Sequence, residues 1–295
     1  MFRRQIQFRM LRFSKAICAG LVLALSASPA GAQDAAPQVD QPTIGLMGTV
    51  PIYWGEAAGF DELVTGEAVR HWAREVLERR AALVPLDYLS QAALAPHRQL
   101  LLAQPRGLSG EENVALDAWV RAGGRLLLFA DPWMTGESRF HLGDRRRPQD
   151  VALLSPILAH WGLELVAHNY ALGGGLHHIE REGQLLPIDS WGEFRLLADD
   201  EECELELEGL LAHCRIGAGQ VLIMADAAIL DFAGPYPHAE SGLESLLARI
   251  FPGMRENAGN RADSPQASGE SGENPANSMN DTATRVAVEG GIPSK

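Results

Sequence analysis

Short apolar runs alternate with amphipathic stretches over much of the chain. TIGLMGT (43–49) is an apolar run bounded by Pro42 and a glycine, the pattern of a buried strand. GEAVRHWAREVLERR (66–80) places Val69, Trp72, Ala73, Val76 and Leu77 on one face with Arg and Glu opposite, which predicts a helix. ALVPLD (82–87) predicts a second strand, YLSQAALA a short helix, and QLLLAQP (99–105) a third strand. SGEENVALDAWVRAGG opens with Ser109 as N-cap and Glu112 three residues on, the spacing of a capping box. It continues through Val114, Leu116, Ala118, Trp119 and Val120 and stops at Gly123-Gly124. RLLLFAD (125–131) is a fourth strand, DVALLSPILAHWG a helix with a proline at 156, and LELVAHN (163–169) a further strand. Strands apolar on both faces and separated by helices require a mostly parallel sheet covered on both sides, an α/β fold.

The pattern changes after about residue 170. Runs become short and alternating, with glycine turns, and predict an antiparallel hairpin insertion around 170–216. GQVLIMAD (219–226) is apolar throughout and is expected to rejoin the main sheet, and SGLESLLARIF (241–251) is a closing helix. Both ends differ from this body. Residues 1–32 carry Arg3, Arg4, Arg9, Arg12 and Lys15, then the apolar stretch Ala16–Ala27, then Ala30-Gly31-Ala32, a small-x-small cleavage pattern. They are expected to form a secretory signal, with an uncleaved anchor as the alternative, and the protein is expected to be periplasmic. Residues 33–42 are a polar lead-in, 43–253 the α/β domain, and 254–295 a tail rich in Gly, Ser, Asn, Glu and Pro, expected to be disordered. No later stretch is long and apolar enough to span a membrane of about 20 residues' thickness.

Charge and cysteines narrow the classes. The formal net charge is −13; loss of residues 1–32 removes five basic and no acidic residues and takes it to −18. Such a chain repels phosphate backbones, so nucleic acid is not an expected partner. Cys18 leaves with the leader, while Cys203 and Cys214 remain for an oxidising compartment. In CELELEGLLAHC a two-residue Glu208-Gly209 turn sets Leu207 opposite Leu210 and Cys203 opposite Cys214 as a hydrogen-bonded pair. Cys203 and Cys214 are therefore a candidate disulfide; two small buried thiols are the alternative.

Ligands of open parallel sheets sit beyond the carboxyl ends of the strands. The candidate ligand-binding residues there are Gln104, Asp131, Asp226 and Asp231 as a polar floor, with Tyr53 and Trp54 as an apolar wall. The competing assignment is that these Asp side chains cap the next turn or helix. Covalent catalysis on this architecture needs Cys or Ser on the tight turn after a strand; here that turn reads Gln104-Pro105-Arg106-Gly107. No H-x-x-x-H or C-x-x-C pair is present, and His177-His178 would point to opposite faces of a strand, so no metal or other cofactor is expected. A hard-cation site on Asp131, Asp226 and Asp231 remains the alternative. YALGGGLHH is assigned to a turn and GDRRRPQD (143–150) to a solvated loop.

LLLAQPRGLSGEENVALDAWVRAGGRLLLFADP (100–132), with GAGQVLIMADAAILDF (217–232) much later, resembles the type 1 glutamine-amidotransferase-like domains that lack the nucleophile. These occur in auxiliary proteins of ABC-type transport systems, the gliding-motility and intraflagellar-transport group, and related bacterial proteins. The resemblance covers about 43–252 and implies a flavodoxin-like three-layer sandwich that binds or scaffolds rather than hydrolyses. The expected function is therefore an exported non-catalytic binding or scaffold domain, partnered by a small ligand or an envelope or transport protein. A carboxylate- or metal-dependent hydrolase and a purely structural interaction module are the alternatives.

Overall fold

A computed structural model describes residues 42–57, 59–65, 68–141, 143–167, 175–198, 202–232 and 234–254. The described residues all lie in the unit that begins at Gln41. The expected leader, most of the lead-in and the tail beyond Met254 lie outside the described residues. The strands are β1 (Thr43–Gly48), β2 (Ala82–Pro85), β3 (Gln99–Ala103), β4 (Arg125–Phe129), β5 (Leu163–Ala167), β6 (Leu176–Arg181), β7 (Gln184–Asp189), β8 (Gly192–Leu196), β9 (Cys203–Glu206), β10 (Leu211–Ile216) and β11 (Gly219–Met224). The helices are α1 (Phe60–Thr65), α2 (Trp72–Glu78), α3 (Gln91–Leu94), α4 (Gly110–Arg121), α5 (Ser155–His160) and α6 (Ala239–Ile250).

Seven strands form one sheet in the order β2-β1-β3-β4-β11-β10-β9. The first five run parallel and the β9–β10 hairpin adds two antiparallel strands at the edge. Taken as five consecutive parallel strands, they follow the doubly wound 2-1-3-4-5 order, whose chain reversal falls between β1 and β3. Right-handed crossovers then send α2 to one face and α3 and α4 to the other. In agreement, α2 packs on α6 while α4 packs on α3 and α5. The fold is thus α/β, with a mostly parallel sheet and small antiparallel hairpins. The centre is apolar because Leu100–Leu102, Leu126–Leu128 and Val221–Met224 are each at most 1% exposed.

Glycine sets how closely α4 approaches this sheet. A Cβ on Gly219 would lie 2.0 Å from the Val120 carbonyl oxygen and 2.5 Å from that of Gly124. Both are backbone atoms at the end of α4, so no side chain can move aside. Gly219→Ala is expected to cost about 3 kcal/mol, because overpacking a fixed backbone is at the upper end of such penalties. Thermal denaturation checks it: a fall in Tm of about 6–12 °C is expected for a domain of this size, and an unchanged Tm would contradict the close approach.

Four sequence expectations change. The helix predicted over 66–80 begins only at Trp72, because His71 caps it through Nδ1, which accepts from Ala73 N. Val69 instead bridges Glu56 as an isolated extended contact, and its side chain is exposed. The helix predicted over 150–162 shortens to α5, because Met134 N donates to Asp150 O and Ala152 N to Asp131 O, holding 150–152 against the loop after β4. β5 does not enter the main sheet; β11 occupies the place beside β4, and β5 pairs antiparallel with β8. Finally, Cys203 and Cys214 are opposed and joined, S–S 2.02 Å, with Cα atoms 4.0 Å apart. They are not the hydrogen-bonded pair expected. Arg215 N donates to Glu202 O at the adjoining pair, which leaves the cysteines at the closer, unbonded position. The reason is a turn in which Leu207, Glu208 and Gly209 all have positive φ (51°, 55° and 89°), so the ladder changes phase before the strands begin.

Candidate functional site

The strand ends where the chain reverses are closed rather than open. Gln104 follows β3 with φ 48°, a left-handed conformation that a non-glycine residue holds only at a cost. Its side chain is fully buried and turned into the sheet end. Gln104 Nε2 donates to Asp131 O and to Gln149 O, both at 2.9 Å, and Gln104 Oε1 accepts from Asp131 N at 2.8 Å. From the other side of the reversal, Thr49 Oγ1 donates to Gln104 O at 2.5 Å and accepts from Gln149 N at 2.8 Å. Thr49, Gln104, Asp131 and Gln149 thus plug the point at which doubly wound sheets receive ligands.

The two strand-end carboxylates are also occupied by backbone. Asp131 Oδ1 accepts from Trp133 N (2.8 Å) and Oδ2 from Ala227 N (3.0 Å). Asp226 Oδ1 accepts from Ala228 N (2.7 Å) and Oδ2 from Asp189 N (2.9 Å). Asp131 and Asp226 are 1% and 0% exposed. Burial pushes the Asp131 carboxyl up to about 7 against the pull of its two N–H donors, with the Asp189 charge adding to the rise. Burial raises Asp226 as well, followed by the charge of Asp131. The structure therefore brings Gln104, Asp131 and Asp226 together without a surface that solvent reaches, and the two Asp side chains take the turn-capping role of the competing assignment.

Asp231 lies further along. Its carbonyl accepts from Trp72 Nε1 at 3.0 Å and its Oδ2 from Tyr236 Oη at 2.6 Å. Burial raises the Tyr236 hydroxyl pKa, and the bond to Asp231 adds to it. His71 sits behind the same segment with Nε2 2.9 Å from Leu230 O. Because Nδ1 accepts from Ala73 N, Nε2 carries the proton, and burial lowers this histidine to about 4. Tyr53 and Trp54 stack edge to face at 4.7 Å, and Arg74 covers the Tyr53 ring at 4.5 Å, so Tyr53 is half-buried while Trp54 projects outward. They do not wall the carboxylate pair; the turn they form leads to Gly55, packed on the Val69 backbone.

An accessible crevice of about 480 Å³ opens beside that turn, lined by Glu56, Val69, Glu137, Ser138, Arg139 and Phe232. Its volume is in the range of small-molecule sites. Glu56 is 3% exposed, with Oε1 accepting from Ser138 Oγ (2.6 Å) and Oε2 from Arg139 N (3.0 Å). Arg139 Nη1 reaches Glu56 O and Glu62 Oε2. Phe232 forms the back wall against the His71 ring, 5.6 Å between centroids. Nothing in the sequence singles out Ser138 or Arg139, because the 132–150 loop has no periodicity. Val69 was assigned to a buried helix face. Among the described residues no three His, Cys, Asp or Glu side chains converge as a metal site, and no helix is long and apolar enough to cross a membrane. His177 packs edge-on to Trp191, while His178 Nε2 lies 3.1 Å from Pro237 O.

Fold and site together define an α/β domain whose strand-end turn is plugged by its own glutamine, with an open crevice to one side. No protein-family model matches the chain, and no curated protein matches it. Solved structures similar to it include the exo-β-1,4-mannosidase Op5Man5 from Opitutaceae bacterium strain TAV5, at 16% identity and TM-score 0.40, over 74% of this chain and 37% of that one. A β-galactosidase from Rahnella sp. R3 is similar at 12% identity and TM-score 0.39, over 72% of this chain and 31% of that one. The cytoplasmic protein STM1381 from Salmonella typhimurium LT2 is similar at 13% identity and TM-score 0.42, over 70% of this chain and 99% of that one. The chain thus spans about a third of the length of the two glycosidases. Similarities at this level assign neither family nor activity.

Proposed function

We propose that the chain is an exported, non-catalytic amidotransferase-like binding domain, accessory to an ABC-type transport or other envelope system. Gln104 carries this reading. It occupies the turn after β3 where an enzyme of this architecture presents its nucleophile, and its side chain is spent on the backbone of Asp131 and Gln149. A hydrolase built on Asp131 and Asp226 needs a carboxylate that water and substrate reach, and both are sealed. In this reading binding falls to the crevice beside Glu56, where Val69 is 62% and the neighbouring Trp54 61% exposed.

A thermal-shift screen of amino acids, sugars and nucleotides tests this, with Val69→Asp alongside. The Val69 side chain faces solvent, so the variant is expected to fold while placing a charge in the crevice. A ligand at 100 times its Kd adds about 2.7 kcal/mol, or about 5–11 °C in Tm for a domain of this size. Loss of that shift in Val69→Asp supports the crevice. A shift retained in full places the ligand elsewhere and overturns it.

A further inference from the structure

A second cavity, of about 280 Å³, lies between α3 and α4 beside the amino ends of β3 and β4, at the opposite end of the sheet from Gln104. That volume is at the lower edge of small-molecule sites. Trp119 of α4 joins the two helices there. Its Nε1 donates to His97 O at 2.9 Å, and a Cβ on Gly124 would lie 2.5 Å from the ring, so the indole rests against glycine backbone and is fixed on its face and at Nε1. Leu94 of α3 and Ala115 and Ala118 of α4 extend the apolar floor. His97 is buried and its ring is turned to β1, with Nδ1 3.4 Å from Thr43 Oγ1. Arg98 gives the cavity its charge. The chain has 38 acidic and 25 basic residues, yet this lining includes Arg98 and no Asp or Glu. The acids of α4 are bonded elsewhere: Glu111 accepts from Tyr88 Oη, Glu112 from Arg106, and Asp117 from Arg121 and from Trp161 Nε1. Among the described residues the Arg98 guanidinium has no hydrogen-bond or ion-pair partner, while its backbone is set by Arg125 N, which donates to Arg98 O at 3.0 Å.

We propose that this cavity binds a small organic acid, its aromatic or short alkyl body on Trp119 and Leu94 and its carboxylate on Arg98. A guanidinium matches a carboxylate with two parallel hydrogen bonds, which an alcohol or amide head does not reproduce. An ammonium head would meet a cation with no acid beside it. The fixed indole offers flat apolar area with little ordering left to lose on binding. The volume admits one small molecule and neither a helix nor a strand, so the occupant is a free acid and not a protein segment. The cavity shares no lining residue with the crevice beside Glu56, so the two sites stand or fall separately.

Titration of the full chain with phenylacetate tests this, followed by calorimetry and by the indole N–H resonance of Trp119, assigned through Trp119→Phe. Saturable binding is expected, with that resonance moving in step. Acetate has the head without the body, and phenethylamine the body with the opposite charge; each is expected to bind at least about tenfold more weakly. Arg98→Gln changes an exposed side chain and is expected to fold, to weaken phenylacetate at least about tenfold and to remove most of the salt dependence of binding. Ala118→Leu, also at an exposed position, is expected to keep α4 and to fill the cavity, with a similar loss. Val69→Asp, in the other crevice, is expected to bind phenylacetate as the wild type does. The proposal is overturned if neither phenylacetate nor hexanoate binds saturably, if acetate or phenethylamine binds as tightly as phenylacetate, if Arg98→Gln or Ala118→Leu keeps full affinity, or if Val69→Asp abolishes binding.

Discussion

Glu112→Ala is expected to cost about 3–5 kcal/mol, the range for breaking a buried ion pair by removing one partner. Glu112 is fully buried at the start of α4 and joins three segments. Oε2 accepts from Ser109 N, closing the capping box in which Ser109 Oγ accepts from Glu112 N. Oε1 accepts from Leu89 N ahead of α3, and both oxygens take the Arg106 guanidinium, at 2.8 and 2.9 Å. Alanine leaves two backbone donors and one guanidinium without their acceptor. Because Arg106 keeps a side chain 41% exposed, water recovers part of its loss, which argues for the lower half of the range. The pH dependence separates this from a mere packing defect. Burial alone would raise the Glu112 carboxyl, but Arg106 and the N–H groups of Ser109 and Leu89 outweigh it and hold it at about 2. A carboxyl depressed in the folded state contributes stability that is present above its unfolded pKa and is lost as pH falls. The deficit of Glu112→Ala in chemical denaturation should therefore be full near neutrality and shrink between about pH 4.5 and about pH 2. A deficit constant with pH would mean that the charge contributes nothing.

Ser109 and Glu112 also show what the sequence made legible. Their spacing predicted the capping box, and the structure contains it atom for atom. The apolar runs predicted the parallel strands for the same local reason: a strand covered on both faces is apolar at every position. Where non-local pairing decides, the sequence is silent. LELVAHN is as apolar as a sheet strand, yet β11, from far along the chain, fills the place beside β4. The phase of the cysteine ladder depended on Leu207 adopting a positive φ, which no composition rule assigns to leucine. At the site, strand-end position alone identified Gln104, Asp131 and Asp226. It did not reveal that Thr49 and Gln149 close over them, because those contacts span 55 and 100 residues of sequence. The crevice was missed because its lining comes from an aperiodic loop and from a valine whose helical spacing was fortuitous.

Gln104 supplies the second large effect. Gln104→Ala orphans Asp131 N and Gln149 O, while Asp131 O keeps the bond from Ala152 N. Each buried group left unsatisfied costs about 1–3 kcal/mol, so a total of about 2–5 kcal/mol and a fall in Tm of about 4–20 °C are expected. Gln104→Gly isolates the backbone contribution. Glycine loses the same hydrogen bonds but holds φ 48° without penalty. At ordinary positions glycine is the less stable of the two by about 0.5–1 kcal/mol; here the order should reverse, with Gln104→Gly more stable than Gln104→Ala by about 1 kcal/mol. Gln104→Glu changes charge instead of shape. It removes the Nε2 donor and sets a carboxylate against the backbone carbonyls of Asp131 and Gln149, so its deficit should grow as pH rises through the carboxylate range and the new side chain ionises. The three variants together decide what this turn is for. If Gln104→Ala unfolds at the wild-type temperature, the glutamine is not structural, and the case for a plugged, non-catalytic turn falls with it. If the ordering is wild type, then Gly, then Ala, the strained turn is kept at a cost that only the Gln104 side chain offsets. An enzyme elbow presents its side chain to substrate, whereas this one hands its side chain to the neighbouring strand.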